Sequence, residues 1–324
     1  MINAAIVGLG GWAKVLVNSV HGKSDKIRFT AGVTRTVANG TDYAAERGFP
    51  LGDDYAEILA DPAIDAVVLA TPHSQHAEQI VAASAAGKHV FVEKPFTLSK
   101  ASAEQAVAAA DAAGVVMALG HNRRFMPSWT ELKNRIDSGA LGTIMHVETN
   151  MSGHGATRFQ TGGWRADRAE SPAGGMGGMG IHMVDTMIGL CGPIKDVHCL
   201  SLRRALVVDI DDTTSMLFRF ESGITGYLGT IGATTATQRV QIFGSEGTAE
   251  IRQERHFEAR PMHGEPEIVD FGPFDKEKAE LEAFADAITG TAPYPLPNDQ
   301  AIHGISVFEA VMKSAVSGET VAVG

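Results

Sequence analysis

Residues 4–13 read Ala4-Ala5-Ile6-Val7-Gly8-Leu9-Gly10-Gly11-Trp12-Ala13, an apolar run that meets glycine at the first and third positions of a turn and alanine at the sixth. Gly8 permits a tight turn and Gly10 lets backbone approach a diphosphate. Ala13 keeps the next helix close to the strand, with its free N–H groups aimed at phosphate. With Gly11 and Trp12 the turn describes a dinucleotide pocket, although ordinary strand-to-helix turns also carry small residues at this spacing. Further polar groups stand just after later apolar runs: Thr71-Pro72, then Glu93-Lys94-Pro95, then His121. Ligands of open α/β sheets sit beyond the carboxyl ends of the strands, so these groups are expected to converge on one crevice.

The elements that must position them follow from the spacing of apolar residues. Runs at 27–33, 66–71, 89–92 and 115–119 alternate with Ala-rich helical stretches. Ser74 and Ser99 are the expected N-caps of helices over 75–86 and 100–113, and Gly87 and Gly114 stand where C-terminal glycines belong. Short apolar strands alternating with helices predict an α/β Rossmann domain, a doubly wound parallel sheet covered on both faces. After Gly120 the pattern changes. A helix over 128–138 leads to a strand at 144–149. Runs 213–220 and 224–231 flank Glu221-Ser222-Gly223, and runs 240–243 and 248–252 flank Gly244-Ser245-Glu246-Gly247, as hairpins do. These predict an α+β domain with a large open, mostly antiparallel sheet, closed by helices near 276–289 and 299–317. The expected division is a dinucleotide-binding domain over 1–121 and a substrate-binding and oligomerisation domain over 122–324, with the last helix free to pack back on the first.

Five motifs now stand in order: Thr71-Pro72-His73-Ser74-Gln75-His76, Glu93-Lys94-Pro95, the stretch from Gly120 to Pro127, Trp164-Arg165, and the glycine-rich 174–180 leading into Ile181-His182-Met183-Val184-Asp185. Together they resemble the Gfo/Idh/MocA family, that of glucose-fructose oxidoreductase and inositol dehydrogenase, along nearly the whole chain. The resemblance implies nicotinamide-dependent oxidation or reduction of a sugar, polyol or related hydroxy or keto compound. It implies a homodimer or homotetramer built on the open C-terminal sheet. It leaves two alternatives: a glycosidase of the same family, whose bound nicotinamide transiently oxidises a sugar carbon, and a non-catalytic regulator that senses dinucleotide.

Within that frame Lys94 is the leading catalytic candidate, because an ammonium beside the substrate oxygen stabilises the charge that develops during hydride transfer, or relays its proton when neutral. A cis Lys94-Pro95 bond would aim this lysine inward. Glu93 is expected to pair with a cation or a ribose hydroxyl. Thr71 and Pro72 would run backbone along the nicotinamide ribose, and His76 either joins them or simply begins the next helix. His182 is the expected acid-base partner, since imidazole titrates near neutrality. The family commonly has a carboxylate four residues before this histidine, where this chain has Gly178, so Asp185, three residues after it, either substitutes or anchors the domain. Asn122, Arg123 and Arg124 fall at the expected join between domains, Asn122 as a cofactor contact, one arginine as a substrate ligand and the other as a clamp. Trp164 and Arg165 are a candidate substrate wall, and His154 and Arg158 share their irregular segment.

NAD enzymes usually carry Asp or Glu about 20 residues beyond the glycine turn, to accept from the adenosine ribose hydroxyls. This chain has Val33-Thr34-Arg35-Thr36 there, which favours NADP over NAD with Arg35 facing a 2′-phosphate. The charge of −11 comes from 27 basic and 38 acidic residues without a long basic cluster, which argues against a nucleic-acid partner. No apolar run reaches the roughly 18 residues that span a bilayer, and no cationic leader opens the chain, so a cytoplasmic location is expected. Cys191 and Cys199 match no zinc or disulfide spacing and read as buried free thiols, and no metal site is expected.

Overall fold

Pro72 lacks the N–H that a parallel ladder needs, and glycines follow several helices; these residues set the element boundaries in the computed structural model, which describes residues 1–324. The first elements are β1 (Ile2–Val7), α1 (Gly11–Val20), β2 (Ile27–Val33), α2 (Thr41–Glu46), β3 (Leu51–Gly52), α3 (Tyr55–Ala60) and β4 (Ala66–Leu69). Next come α4 (His76–Ala85), β5 (His89–Val92), α5 (Lys100–Ala113), β6 (Met117–Leu119), α6 (Pro127–Asp137), β7 (Ile144–Ser152) and α7 (Gly180–Cys191). The remainder is β8 (Ile194–Leu202), β9 (Thr213–Phe220), β10 (Thr225–Ile231), β11 (Thr237–Gly244), β12 (Gly247–Arg252), β13 (His256–Pro261), β14 (Glu267–Asp270), α8 (Lys276–Ile288), α9 (Asn298–Ser317) and β15 (Val321–Ala322). None of the helices is long and apolar enough to cross a membrane.

Ser99 caps α5 as its spacing predicts, accepting from Ser102 N, and Gly114 closes that helix in the left-handed region. Ser74 does not cap α4. Residues His73–Gln75 form a short 3-10 turn after Pro72, so the α-helix starts at His76 instead. Strand β6 starts later than the apolar run, because Val115 N–H still bonds Ala110 O to finish the helix end.

The six strands of the first sheet lie in the order β3-β2-β1-β4-β5-β6, and every neighbouring pair is parallel. This is the doubly wound order, with its switch point between β1 and β4. The second sheet has nine strands in the order β14-β13-β12-β11-β7-β10-β9-β8-β15. Only β7 and β10 pair parallel there, because two separate hairpins, β9-β10 and β11-β12, meet around β7 from opposite sides.

The chain forms two compact units, Met1–Asn122 with Asp275–Ile302, and Arg123–Phe274 with His303–Gly324. The boundary expected at 121/122 is therefore crossed again later, and it is α8 rather than the last helix as a whole that returns to the first unit. Leu281, Phe284 and Ala285 on α8 are 0–2% exposed and share a core with Ile6, Leu16, Val17, Ile27 and Phe91. The Phe91 and Phe284 rings lie 5.8 Å apart. That burial contributes about 1.5–3 kcal/mol per large side chain, enough to fix the helix here whatever its place in the sequence. In the second unit α7 is buried almost throughout and packs on β7 and β10. Its mixture of apolar and small residues suits a helix covered all round. Cys199 N–H donates to Ser314 Oγ at 2.8 Å and Ile194 N–H to His303 Nε2 at 2.9 Å, which ties β8 to the later part of α9.

Candidate active site

At the glycine turn the backbone does what the residue types predict. Gly8 has φ +85°, and a Cβ there would stand 2.9 Å from the Ala70 carbonyl oxygen, so only glycine fits between β1 and the end of β4. A Cβ on Gly10 or Gly11 would meet nothing within 4 Å, which leaves the backbone open on that side. Gly10 caps α1 without a side-chain hydrogen bond, and no acidic residue stands in the first turn. An open backbone, uncapped N–H groups and no local negative charge fit a diphosphate. Ala13 is 1% exposed and lies in the core between helix and sheet. At the end of β2, Thr34 Oγ1 accepts from Leu9 N–H at 3.5 Å, while Arg35 is exposed.

The ends of β4 and β5 carry the next groups. Thr71 Oγ1 donates to Gln79 Oε1 at 2.6 Å. His76, fully buried at the start of α4, sets Nδ1 2.9 Å from Pro95 O and Nε2 3.0 Å from Thr71 O. One imidazole thus bridges the two motifs, a task its place as the first helical residue does not advertise. The Lys94–Pro95 bond is cis, and Lys94 is half-buried.

Glu93 is 6% exposed. Its Oε2 accepts from the Lys94 backbone N–H at 3.3 Å, and the indole of Trp12 also favours the charged form. Oε1 has no protein donor. Burial pushes its pKa up to about 7, against the opposing pull of the Lys94 ammonium, the Trp12 indole and the Lys94 backbone N–H, with Glu277 adding like-charge repulsion. Glu277 itself accepts from Asn122 Nδ2 at 3.0 Å. It comes from α8, 155 positions beyond Asn122, and no local pattern marks it as part of this cluster. The only signal read there was a helix near 276–289, which does not show where that helix packs.

In the second unit His182 and Asp185 lie on α7, which begins at Gly180, so the expected three-residue spacing falls within one helix. His182 is 5% exposed, and its backbone oxygen accepts from Thr186 Oγ1 at 2.9 Å. Both carboxylate oxygens of Asp185 lie 3.0 Å from Arg124 Nε, and Arg124 Nη2 lies 2.9 Å from Oδ1. The guanidinium also stands over the Trp129 ring at 6.0 Å and beside Gly189, where a Cβ would meet it at 3.1 Å. Arg123 pairs with Glu254 at 3.5 Å. Trp164 and Arg165 stack, with the guanidinium 4.0 Å from the ring, and Arg158 Nη2 lies 3.2 Å from His154 Nε2. Gly178 precedes α7, and a Cβ there would meet nothing within 4 Å.

Comparison with known proteins assigns the chain to a family. Residues 2–121 match an oxidoreductase family with an NAD-binding Rossmann fold, and residues 129–250 match the GFO/IDH/MocA C-terminal domain. The chain is 29% identical to scyllo-inositol 2-dehydrogenase (NAD(+)) of Bacillus subtilis, over 93% of this chain and 91% of that protein. It is 26% identical to 1,5-anhydro-D-fructose reductase of Ensifer adhaerens, over 90% and 92%. The structure of levoglucosan dehydrogenase in complex with NADH and L-sorbose superposes with a TM-score of 0.90 at 19% identity, covering 100% of this chain and 99% of that one. With both domains matched in order, the chain belongs to the Gfo/Idh/MocA family of NAD(P)-dependent oxidoreductases.

Proposed function

We propose that the protein transfers a hydride between a nicotinamide dinucleotide and a carbohydrate-like alcohol or its ketone, with NADP preferred. The observation that carries this reading is the pairing, on one parallel sheet, of an open diphosphate turn after β1 with Glu93-Lys94-Pro95 after β5. Relatives named for an inositol, an anhydrofructose and levoglucosan support the substrate class.

Gly8, Gly10, Gly11 and Ala13 would hold the diphosphate, Thr71, Pro72 and Asn122 would border the nicotinamide half, and Thr34 and Arg35 would meet the adenosine ribose. The exposed arginine, with no carboxylate between Val33 and Thr36, suits a 2′-phosphate. The bound nicotinamide accepts or returns the hydride. Lys94 stabilises charge developing on the substrate oxygen, and His182 exchanges the hydroxyl proton. Arg123, Trp164 and Arg165 are the proposed polar and stacking contacts to substrate. Of the two roles open to Asp185, its bidentate bond to Arg124 supports anchoring α7 rather than proton relay. A homo-oligomer is proposed through the outer face of the second sheet, where Leu200, Leu202 and Leu217 are 58–60% exposed.

The test is a panel of sugars, inositols and sugar acids with NAD and NADP, followed at the reduced-nicotinamide absorbance band in wild type and Lys94→Ala. The expected result is turnover with at least one polyol, tighter binding of NADPH than NADH, and a loss of about 10²–10⁴ in kcat in the variant. Dinucleotide binding without turnover on any member of the panel would favour a sensor. Release of an aglycone with no net change in cofactor would favour the glycosidase.

A further inference from the structure

Glu93 does nothing in the catalytic scheme above, yet its surroundings are built around it. Trp12, on the first turn of α1 directly after the glycine turn, favours the ionised carboxylate through its indole. Gly120, just after β6, leaves room for Oε1, since a Cβ there would stand 3.0 Å from that oxygen. The charged groups acting on it are Lys94, next to it on the end of β5, and Glu277 from α8, with one attracting and one repelling the ionised form. Oε1 is buried without a protein donor, an arrangement that costs more when the group is charged than when it is neutral. The burial and Glu277 therefore oppose ionisation, while Lys94 and Trp12 favour it. A carboxyl balanced in this way responds to any further charge brought near it.

The two forms of a nicotinamide cofactor differ by one such charge, because the oxidised ring is a cation and the reduced ring is neutral. We propose that Glu93 is a positioning residue that matches the charge of the strand-end cluster to the oxidation state of the bound cofactor: ionised with the oxidised ring, protonated with the reduced one. This rests on the reading that the nicotinamide half binds at Thr71-Pro72 and Glu93-Lys94-Pro95. Exchange of oxidised for reduced cofactor is then accompanied by uptake of a proton from solvent onto the Glu93 carboxylate, and the reverse exchange releases it. The protein would favour oxidised cofactor in alkaline solution and reduced cofactor in mildly acidic solution.

The experiment measures dissociation constants of NADP⁺ and NADPH by calorimetric titration between pH 5.5 and 8.5, for wild type, Glu93→Gln and Glu277→Gln. The ratio of the oxidised to the reduced constant removes effects common to both, including titration of the 2′-phosphate. In wild type the ratio is expected to fall on the order of ten-fold as pH rises through neutrality, the size of one screened charge interaction. Glu93→Gln should keep a pH-independent ratio near the acidic value of wild type. In Glu277→Gln the same fall should be centred at lower pH, because a repelling carboxylate is gone while the bond from Asn122 Nδ2 to Oε1 survives. Heats in buffers of different ionisation enthalpy should show proton uptake when NADPH replaces NADP⁺. Binding of both cofactors with a wild-type ratio as flat as that of Glu93→Gln would overturn this proposal and leave the functional reading standing. If Glu93→Gln does not fold, an unmoved midpoint in Glu277→Gln would overturn it equally. Failure of either cofactor to bind would overturn both readings.

Discussion

At the scale of single residues, two buried carboxylates behave in opposite ways. Asp185 is satisfied by Arg124, each side chain being 5% exposed, so removing its charge strands a buried guanidinium. Asp185→Asn is expected to cost about 3–5 kcal/mol in denaturant unfolding, the range for breaking a buried pair from one side. The pH profile of kcat in the folded fraction should keep its shape, whereas loss of one limb would make Asp185 a proton-transfer group. Glu93 has its pKa raised from 4.5 to about 7, chiefly by burial. The folded chain therefore holds this proton more tightly than the unfolded chain. Its contribution to stability is full below the unfolded value and is lost as pH rises through the window to about 7. Glu93→Gln should consequently raise the unfolding free energy relative to wild type at pH 8, by on the order of 3 kcal/mol, and by almost nothing near pH 4. Equal differences at both pH values would show that Glu93 does not titrate as its surroundings predict.

At the scale of elements, the glycine turn carries the most consequence for the least mass. Gly8→Ala combines a left-handed φ of +85° with a contact of 2.9 Å to the Ala70 carbonyl oxygen, and β1 and β4 both belong to the central sheet. The variant is expected to lose at least about 1 kcal/mol of stability and to bind NADPH at least ten-fold more weakly, measured by calorimetry. Unchanged affinity would remove the turn from the diphosphate site. Much of this level was readable in advance. Strands β2 and β5, the start and cap of α5 and both hairpins follow the sequence pattern closely, because period and turn chemistry are local. What was not readable depends on partners distant in the chain. His76 looks like a helix start, and its bridge between Thr71 O and Pro95 O requires two strand ends to lie side by side. Strands β8, β13, β14 and β15 lack a strong alternating pattern or are very short, and their neighbours supply the pairing.

At the scale of the whole molecule, the chain crosses between its two compact units more than once, which no composition change announces. A helix near 276–289 was visible, yet nothing local distinguishes the core it enters from any other. The same limit applies to Leu200, Leu202 and Leu217, which read as ordinary strand residues until β8 and β9 pair and set them on the exposed face of the nine-stranded sheet. Leu202→Glu combined with Leu217→Glu should lower the mass found by light scattering without lowering the unfolding midpoint of the dissociated form. An unchanged mass would remove this face as the site of assembly.

The central claim is hydride transfer assisted by Lys94, and isotope tracing tests it most directly. A polyol substrate bearing deuterium on its carbinol carbons is incubated with oxidised cofactor, and the recovered nicotinamide is weighed by mass spectrometry. The account predicts one deuterium per reduced cofactor with the wild-type chain, and label only at a rate lower by about 10²–10⁴ with Lys94→Ala. Reduced cofactor without deuterium, or equal labelling rates in the two proteins, would contradict it.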